Sequence, residues 1–77
     1  MEMKDIGNMI RIVRLEEKMT QEELAEKIGV YQQQINAYEH GQNMTMTTLF
    51  DVCDGLEVKP VELLQFIDIR NRYKNLL

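Results

Sequence analysis

One segment of the chain, residues 20–41 (TQEELAEKIGVYQQQINAYEHG), constrains the fold more than any other. When Gln21 is counted as the first position of a unit, apolar residues occupy positions 4, 8, 10, 15 and 18: Leu24, Ile28, Val30, Ile35 and Tyr38. Ala25 holds position 5 and Gly29 holds position 9. Two short helices that cross steeply need this pattern, because apolar residues line the shared face, a methyl group lets the axes approach, and glycine makes the turn.

Such a pair of helices is a helix-turn-helix, whose second helix is shaped to enter a DNA major groove. Thr20 with Glu23 forms a predicted capping box for the first helix, residues 21–28, and Gly29 ends it. The second helix is predicted over residues 32–40, followed by Gly41. The segment therefore predicts a DNA-binding unit over residues 21–40.

Three further helices are predicted around this unit. The first covers residues 4–17 and has an apolar stripe at helical spacing, made by Ile6, Met9, Ile10 and Val13. Thr45 is a natural N-cap for a helix over 46–55, which we expect to bury Leu49, Phe50 and Cys53 or Val52. Pro60 suits the first turn of a last helix, with Val61, Leu64 and Ile67 on one side of it.

The fold class is therefore predicted as all-α, a compact five-helix bundle. With 77 residues there is room for one small domain, residues 1–77, with its core in 6–67. Residues 68–77 are expected to prolong the last helix or to fold back. In the second case Tyr73, Leu76 and Leu77 would cover Ile12 and Leu15, which fall outside the first helix's stripe.

Several classes of protein are disfavoured by composition. The apolar runs are too short for a membrane span, and the N-terminus has no secretory signal, so we expect a cytoplasmic protein without membrane contact. Cys53 is the one cysteine and His40 the one histidine, which leaves no internal disulfide and no His/Cys zinc site. No acid/base pair or activated nucleophile is evident, so we expect neither an enzyme nor a cofactor.

The net charge of −4 at first disfavours a nucleic acid partner, since phosphate neutralisation supplies most non-specific affinity. The distribution of charge matters more than its sum. Residues 29–43 contain a single acid, Glu39. An acidic domain can bind DNA through a face that is relieved of acids, and its specificity then depends on base contacts and dimer geometry.

The chain resembles the Cro and phage-repressor class of helix-turn-helix domains, which share the lambda-repressor-like fold. The resemblance lies in IGNMIRIVRLEEKMTQEELAEKIGV, INAYEHG and LFDVCDGLEVKPVELL, and it covers about residues 6–64. Within that class, VRLEEKMTQEELA and QNMTMTTLFDVCDGLEV are similar to controller proteins of restriction-modification systems. Small phage Cro-like regulators and antitoxins share the fold.

The resemblance implies roles for particular residues. Gln21 would bind a backbone phosphate, and Gln32, Gln33 and Asn36 would read base edges, because an amide can pair with N6 and N7 of adenine together. Gln34 would turn toward a flank or the backbone. Arg14 and Glu39 would form an internal ion pair. The alternatives are a solvated Glu39 and a row of glutamines that forms only a polar surface.

Three positions depart from the family pattern. Tyr31 stands where Ser or Thr usually caps the recognition helix, and its phenol is expected either along a sugar or thymine methyl or on the protein surface. Lys18 stands where a glycine often ends the first helix. The following loop lacks Lys and Arg, so its phosphate contacts would come from neutral donors: Gln42, Asn43 and Thr45.

A homodimer is expected because one domain of this size contacts too few base pairs for strong specificity. The last helix carries more apolar residues than one face can bury, and we expect the dimer interface to include Val61, Leu64, Phe66 and Ile67. The predicted function is a transcription regulator that binds an inverted-repeat operator, with RNA polymerase as a further candidate partner. The alternative is a protein-interaction module such as an antitoxin or anti-repressor.

Overall fold

The computed structural model describes residues 1–73, with the side chains at positions 66, 70, 71 and 73 excepted. Within that range the chain forms five helices and no strand: α1 (Met3–Glu16), α2 (Gln21–Ile28), α3 (Gln32–Glu39), α4 (Met46–Leu56) and α5 (Pro60–Tyr73). The all-α prediction with five helices is confirmed. The predicted boundaries differ from the observed ones by one residue at most for α1 to α4.

Local capping accounts for the sharp boundaries of α2. The hydroxyl of Thr20 accepts a hydrogen bond from the Glu23 N–H at 3.0 Å, and the Glu23 carboxylate accepts one from the Thr20 N–H at 3.1 Å. Gly29 ends the helix with φ of 75°, in the left-handed region that glycine adopts without steric cost. Thr45 begins α4 in the same manner, accepting from the Thr48 N–H at 3.1 Å.

Among the residues that the structure describes, two other than glycine have left-handed backbone conformations. Lys18 has φ of 55° just after α1, where the resemblance placed a glycine, and Glu57 has φ of 59° at the end of α4. The second was not foreseen from the sequence. Each such residue brings its Cβ close to a carbonyl oxygen, so both turns carry a steric cost.

The hydrophobic core lies between the helix-turn-helix and the other three helices. Its fully buried large side chains come from all five helices: Ile10, Leu24, Ile35, Val52, Cys53, Leu56 and Ile67. Met9 and Ile10 of the α1 stripe are buried, and Ile6 and Val13 pack against them as predicted.

The prediction that Phe50 is buried in the core is wrong. Phe50 is 46% exposed, while Val52 and Cys53 are both fully buried, because α4 turns its 49–52–53–56 face inward. In α5 the inner residues are Leu63 and Ile67, and Val61 is 63% exposed. Since Val61 precedes Leu63 by two residues, it lies about 200° around the helix from it.

A glycine in α1 allows that helix to lie directly against the end of α3. A Cβ at Gly7 would stand 2.3 Å from the carbonyl oxygen of Tyr38 and 2.8 Å from that of Glu39. A Cβ at Gly41 would likewise stand 3.1 Å from Cα of Lys4. The first half of α1 is therefore held beside the C-terminal end of α3.

The last helix continues to Tyr73, so residues 68–73 prolong it, one of the two predicted outcomes. Leu76 and Leu77, which the fold-back alternative invoked, lie outside the described residues. Ile12 and Leu15, which they were expected to cover, are 40% and 55% exposed. Among the described residues, none of the helices combines the length and the apolar composition that a membrane span requires.

Candidate nucleic-acid interface

The outer edge of α3 presents amides to solvent. Gln33 and Asn36 are exposed, and Gln32 is partly buried. Gln34 is turned back, since its side-chain oxygen accepts a hydrogen bond from the Tyr31 N–H at 3.0 Å. Tyr31 itself is 78% exposed and supplies no side-chain cap to α3. The structure therefore brings Gln32, Gln33 and Asn36 to one side of the helix and leaves Gln33 the least engaged.

Gln21 links three of the polar side chains around this edge, which the sequence did not predict. Its oxygen accepts from Nε2 of Gln32 at 2.6 Å. Its own Nε2 donates to Oδ1 of Asn36 at 3.3 Å and to Oε1 of Glu39 at 3.1 Å. Both N–H bonds of the Gln21 amide are thus used within the protein, and the side chain orients Gln32 and Asn36.

Arg14 and Glu39 form the buried base of this network. Nε of Arg14 lies 2.6 Å from Oε2 of Glu39, and Nη2 lies 3.0 Å from Oε1. Nη1 donates to the carbonyl oxygen of Met19 at 2.8 Å. The two side chains are 9% and 1% exposed. The pair joins α1 to the end of α3, as the resemblance implied, and its bidentate geometry satisfies both charges away from water.

The loop after α3 offers mostly neutral side chains. Gln42 and Asn43 are exposed, and the Gln42 N–H donates to the carbonyl of Ala37 at 3.0 Å. Thr45 is exposed but its hydroxyl is engaged, since it caps α4 and donates to the hydroxyl of Thr48 at 3.0 Å. Of the three predicted phosphate contacts in this loop, Thr45 has its hydroxyl hydrogen-bonded within the protein, whereas the side chains of Gln42 and Asn43 form no hydrogen bond with the described residues.

A groove beside the amide edge was missed by sequence reasoning. It has a volume of about 350 Å³ and lies between α1 and α3. Its lining includes Lys4, Asn8 and Arg11 from α1 and His40 from the end of α3. The available signal was the spacing of Lys4, Asn8 and Arg11, which places them on one face of a helix.

Cys53 and His40, whose side-chain types are often reactive in proteins, show no arrangement for catalysis or metal binding among the described residues. Cys53 is fully buried, and burial raises the pKa of its thiol, with a smaller contribution from Asp54. His40 lies at the end of α3, and its Nδ1 is 2.7 Å from the carbonyl oxygen of Asn36. Within the described residues no three His, Cys, Asp or Glu side chains come together as a metal site.

Comparison with known proteins agrees with this architecture. A family model described as helix-turn-helix matches residues 10–63. The chain belongs to the helix-turn-helix family. It is the family of Cro and the phage repressors, whose members are DNA-binding regulators, and the match confirms the resemblance seen in the sequence.

Similar structures include those of the restriction-modification controller protein C.Esp1396I. The wild-type controller shares 32% identity with this chain at a TM-score of 0.78, covering 84% of this chain and 86% of the controller. A tetramer of the same controller in complex with its natural 35 base-pair operator also matches with 32% identity and a TM-score of 0.78, covering 84% of this chain and 87% of the controller.

Among individual proteins, the antitoxin HipB of Escherichia coli strain K12 is 39% identical over 54 residues, which make up 69% of this chain and 61% of HipB. HipB of strain CFT073 is 37% identical over the same length, covering 57% of that protein. The chain thus spans about three fifths of the length of the curated relatives it matches.

Proposed function

We propose that this chain is a sequence-specific transcription regulator that binds an inverted-repeat DNA operator as a homodimer. The observation that carries the proposal is the edge of α3, where Gln33 and Asn36 are exposed while the polar groups beneath them are held by Gln21 and the Arg14–Glu39 pair. Amides presented on a rigid helix are suited to reading base edges in the major groove.

Each of the three amides would contact bases differently, because a different part of each one is already hydrogen-bonded within the protein. Gln33 forms no side-chain hydrogen bond with the residues that the structure describes, so its oxygen and NH₂ group can pair with N6 and N7 of adenine together. The oxygen of Asn36 is occupied by Gln21, which leaves its NH₂ group for an acceptor such as N7 or O6 of guanine or O4 of thymine. Gln32 donates to Gln21 and keeps its oxygen as an acceptor.

Phosphate contacts would flank these base contacts on both sides. At the start of α2 the side chain of Gln21 is engaged, so a phosphate there would meet backbone N–H groups of the first helical turn. On the other side Gln42, Asn43 and Thr45 would donate as neutral groups. The exposed phenol of Tyr31 at the start of α3 would lie along a sugar or a thymine methyl.

A second copy of the chain is proposed because two half-sites are needed for strong specificity. The expected interface requires one correction: Ile67 is 1% exposed within the monomer's own core and has no surface to give to a partner. Val61 at 63% and Ile69 at 48% exposure supply apolar surface on α5, with the partly buried Leu64 beside them. Phe66, also predicted, has a side chain outside the described set.

The likeness to C.Esp1396I, solved as a tetramer on its 35 base-pair operator, supports an operator with repeated half-sites. A role as controller of a restriction-modification system, or as a phage Cro-like repressor, is the finer form of this proposal. We further propose RNA polymerase as the partner through which an operator-bound regulator acts on transcription.

Selection of bound duplexes from a random pool tests the proposal directly. We expect the selected sequences to contain two inverted half-sites whose centres are about 10 base pairs, or one helical turn, apart. Binding should weaken as salt rises, because phosphate contacts release counterions. Enrichment of no sequence, together with a monomer at micromolar concentration in sedimentation, would contradict the proposal.

The 39% identity to HipB favours a second candidate, a role as antitoxin. In that case the protein binds a second protein through a helical surface, whether or not it binds DNA. Expression with each neighbouring gene product, followed by size-exclusion chromatography, tests this candidate. A stable two-protein complex that suppresses the partner's growth defect would support it, and independent migration of every pair would count against it.

A further inference from the structure

The groove between α1 and α3 is lined by exposed positive charge, although the protein as a whole is acidic. Lys4 and Arg11 are both exposed, and neither forms an ion pair with any residue that the structure describes. The carboxylate that lines the groove belongs to Glu39, which is 4% exposed and fully engaged by Arg14. Two unpaired cations therefore face a space where the negative charge is already neutralised.

The position of the groove relative to α3 is set by the backbone. Gly7 lies on α1 between Lys4 and Asn8, and its missing side chain lets α1 touch the last carbonyls of α3. The groove also shares Gln21 and Asn36 with the amide edge that we propose reads bases. A duplex with α3 in its major groove would thus bring one sugar-phosphate backbone alongside α1.

We propose that Lys4, Asn8 and Arg11 bind phosphates of the DNA backbone next to the half-site that α3 reads. This inference rests on the proposed function. The three side chains offer an ammonium, an amide and a guanidinium on one helical face, and all are hydrogen-bond donors to phosphate oxygens. The loop at residues 42–45, by contrast, has no basic residue. The charged part of backbone binding is thus carried by α1 in this chain.

The dependence of affinity on salt measures this role. Each cation that neutralises a phosphate contributes about 0.9 to the magnitude of the slope of log K against log salt concentration, so a tenfold rise in salt weakens its contribution to binding about eightfold. We expect Lys4→Gln and Arg11→Gln each to reduce the magnitude of this slope by about 0.9 and to weaken DNA binding most at low salt. The loss should be similar on a selected duplex and on an unrelated 20 base-pair duplex, because phosphates carry no sequence information.

Two control variants distinguish the loss of a phosphate contact in the groove from a general loss of positive charge. A separate measurement checks folding. Lys59→Gln removes the same charge from the turn between α4 and α5, outside the groove, and should leave the slope close to that of the wild type. Arg11→Lys keeps a cation in the groove and should retain the slope that Arg11→Gln loses. Thermal unfolding followed by circular dichroism shows that each variant is folded at the assay temperature.

The outcomes distinguish this inference from the proposed function. If the wild type binds its selected duplex and Lys4→Gln and Arg11→Gln keep its slope, or match Lys59→Gln, the α1 phosphate site is wrong and the function stands. If the wild type binds no duplex, both proposals are overturned. A smaller slope in both groove variants, with sequence preference unchanged, supports the site.

Discussion

The guanidinium of Arg14 and the carboxylate of Glu39 make a two-point ion pair, with N–O distances of 2.6 and 3.0 Å, that joins α1 to the end of α3. The carboxylate also accepts from Gln21, which in turn holds Gln32 and Asn36. Each partner is nearly excluded from water. The same pair therefore supports the fold and, through Gln21, the orientation of amides on the outer edge of α3.

Removal of one partner of this pair should strongly destabilise the protein. We expect Glu39→Ala to lower the free energy of unfolding by about 3–5 kcal/mol, because it leaves a buried guanidinium without its counter-charge. Urea denaturation followed by circular dichroism measures the loss. Glu26→Ala, which removes an exposed carboxylate from α2, is the control and should change stability by less than about 0.5 kcal/mol. Equal losses in the two variants would show that the ion pair contributes little.

A methyl group at Gly7 should cost more than a methyl group at Gly55. The new Cβ at Gly7 would meet the backbone carbonyl of Tyr38 at 2.3 Å, which cannot move without shifting α3. At Gly55 the nearest atoms, 2.7 and 2.9 Å away, are the Cγ2 methyl of Ile28 and the Cδ1 methyl of Leu24, which belong to side chains and not to the backbone. We expect Gly7→Ala to lose about 3 kcal/mol or more, and Gly55→Ala about 1 kcal/mol, in the same urea experiment. Comparable stabilities would show that α1 can move away from α3 at little cost.

Glycine at position 18 should stabilise the protein. Lys18 has φ of 55°, where a side chain costs about 1–2 kcal/mol, partly offset by the greater freedom of glycine in the unfolded chain. The net expectation for Lys18→Gly is a gain of about 0.5–1 kcal/mol, seen as a rise in Tm. At the adjacent Glu17, where φ is −78°, glycine should bring a loss. A fall in Tm for Lys18→Gly would mean that the lysine side chain has a stabilising contact.

Gln33 and Gln34 are adjacent glutamines, but we expect only Gln33 to contribute to DNA recognition. Gln33→Ala should lose about 1–3 kcal/mol of discrimination at one base pair in each half-site, because its amide is free to pair with a base. Gln34→Ala should leave discrimination unchanged, since the side-chain oxygen of Gln34 accepts from the Tyr31 N–H and is turned away from the bases. Competition binding with selected and singly altered duplexes measures both. Loss of discrimination in Gln34→Ala alone would reverse the proposed orientation of α3.

A charge on the outer face of α5 should separate the proposed dimer. Val61→Glu places a carboxylate at a position that is 63% exposed in the monomer, so the fold should be kept while the apolar interface is lost. Met46→Glu is a matched control, because Met46 is 58% exposed and also lies in the first turn of a helix. Sedimentation velocity should show a monomer for the first variant and a dimer for the second. A dimer in both would place the interface elsewhere.

Much of the fold could be predicted because its signals are local. Thr20, Glu23 and Gly29 set the ends of α2 through bonds and backbone angles that involve only neighbouring residues. The spacing of Met9 and Ile10 in α1, and of Leu24 and Ile35 in the helix-turn-helix, predicted side chains that are indeed buried. The resemblance to the Cro and phage-repressor class implied that Gln32, Gln33 and Asn36 face outward from α3, and helical periodicity separated Gln34 from them.

Tertiary structure determined which face of each helix is buried and which distant polar side chains come into contact. Apolar composition could not tell that Phe50 and Val61 face outward while Val52 and Ile67 face inward, since the phase of a helix is chosen by its neighbours. The bonds of Gln21 to Gln32 and Asn36, and the groove that joins Lys4 and Arg11 to α3, connect residues far apart in sequence. Local sequence thus determined which helices form and where they end, because capping and periodicity act within a few residues. Packing alone determined which polar groups remain free to bind DNA, because that depends on which side chains the crossing helices bring within hydrogen-bond reach.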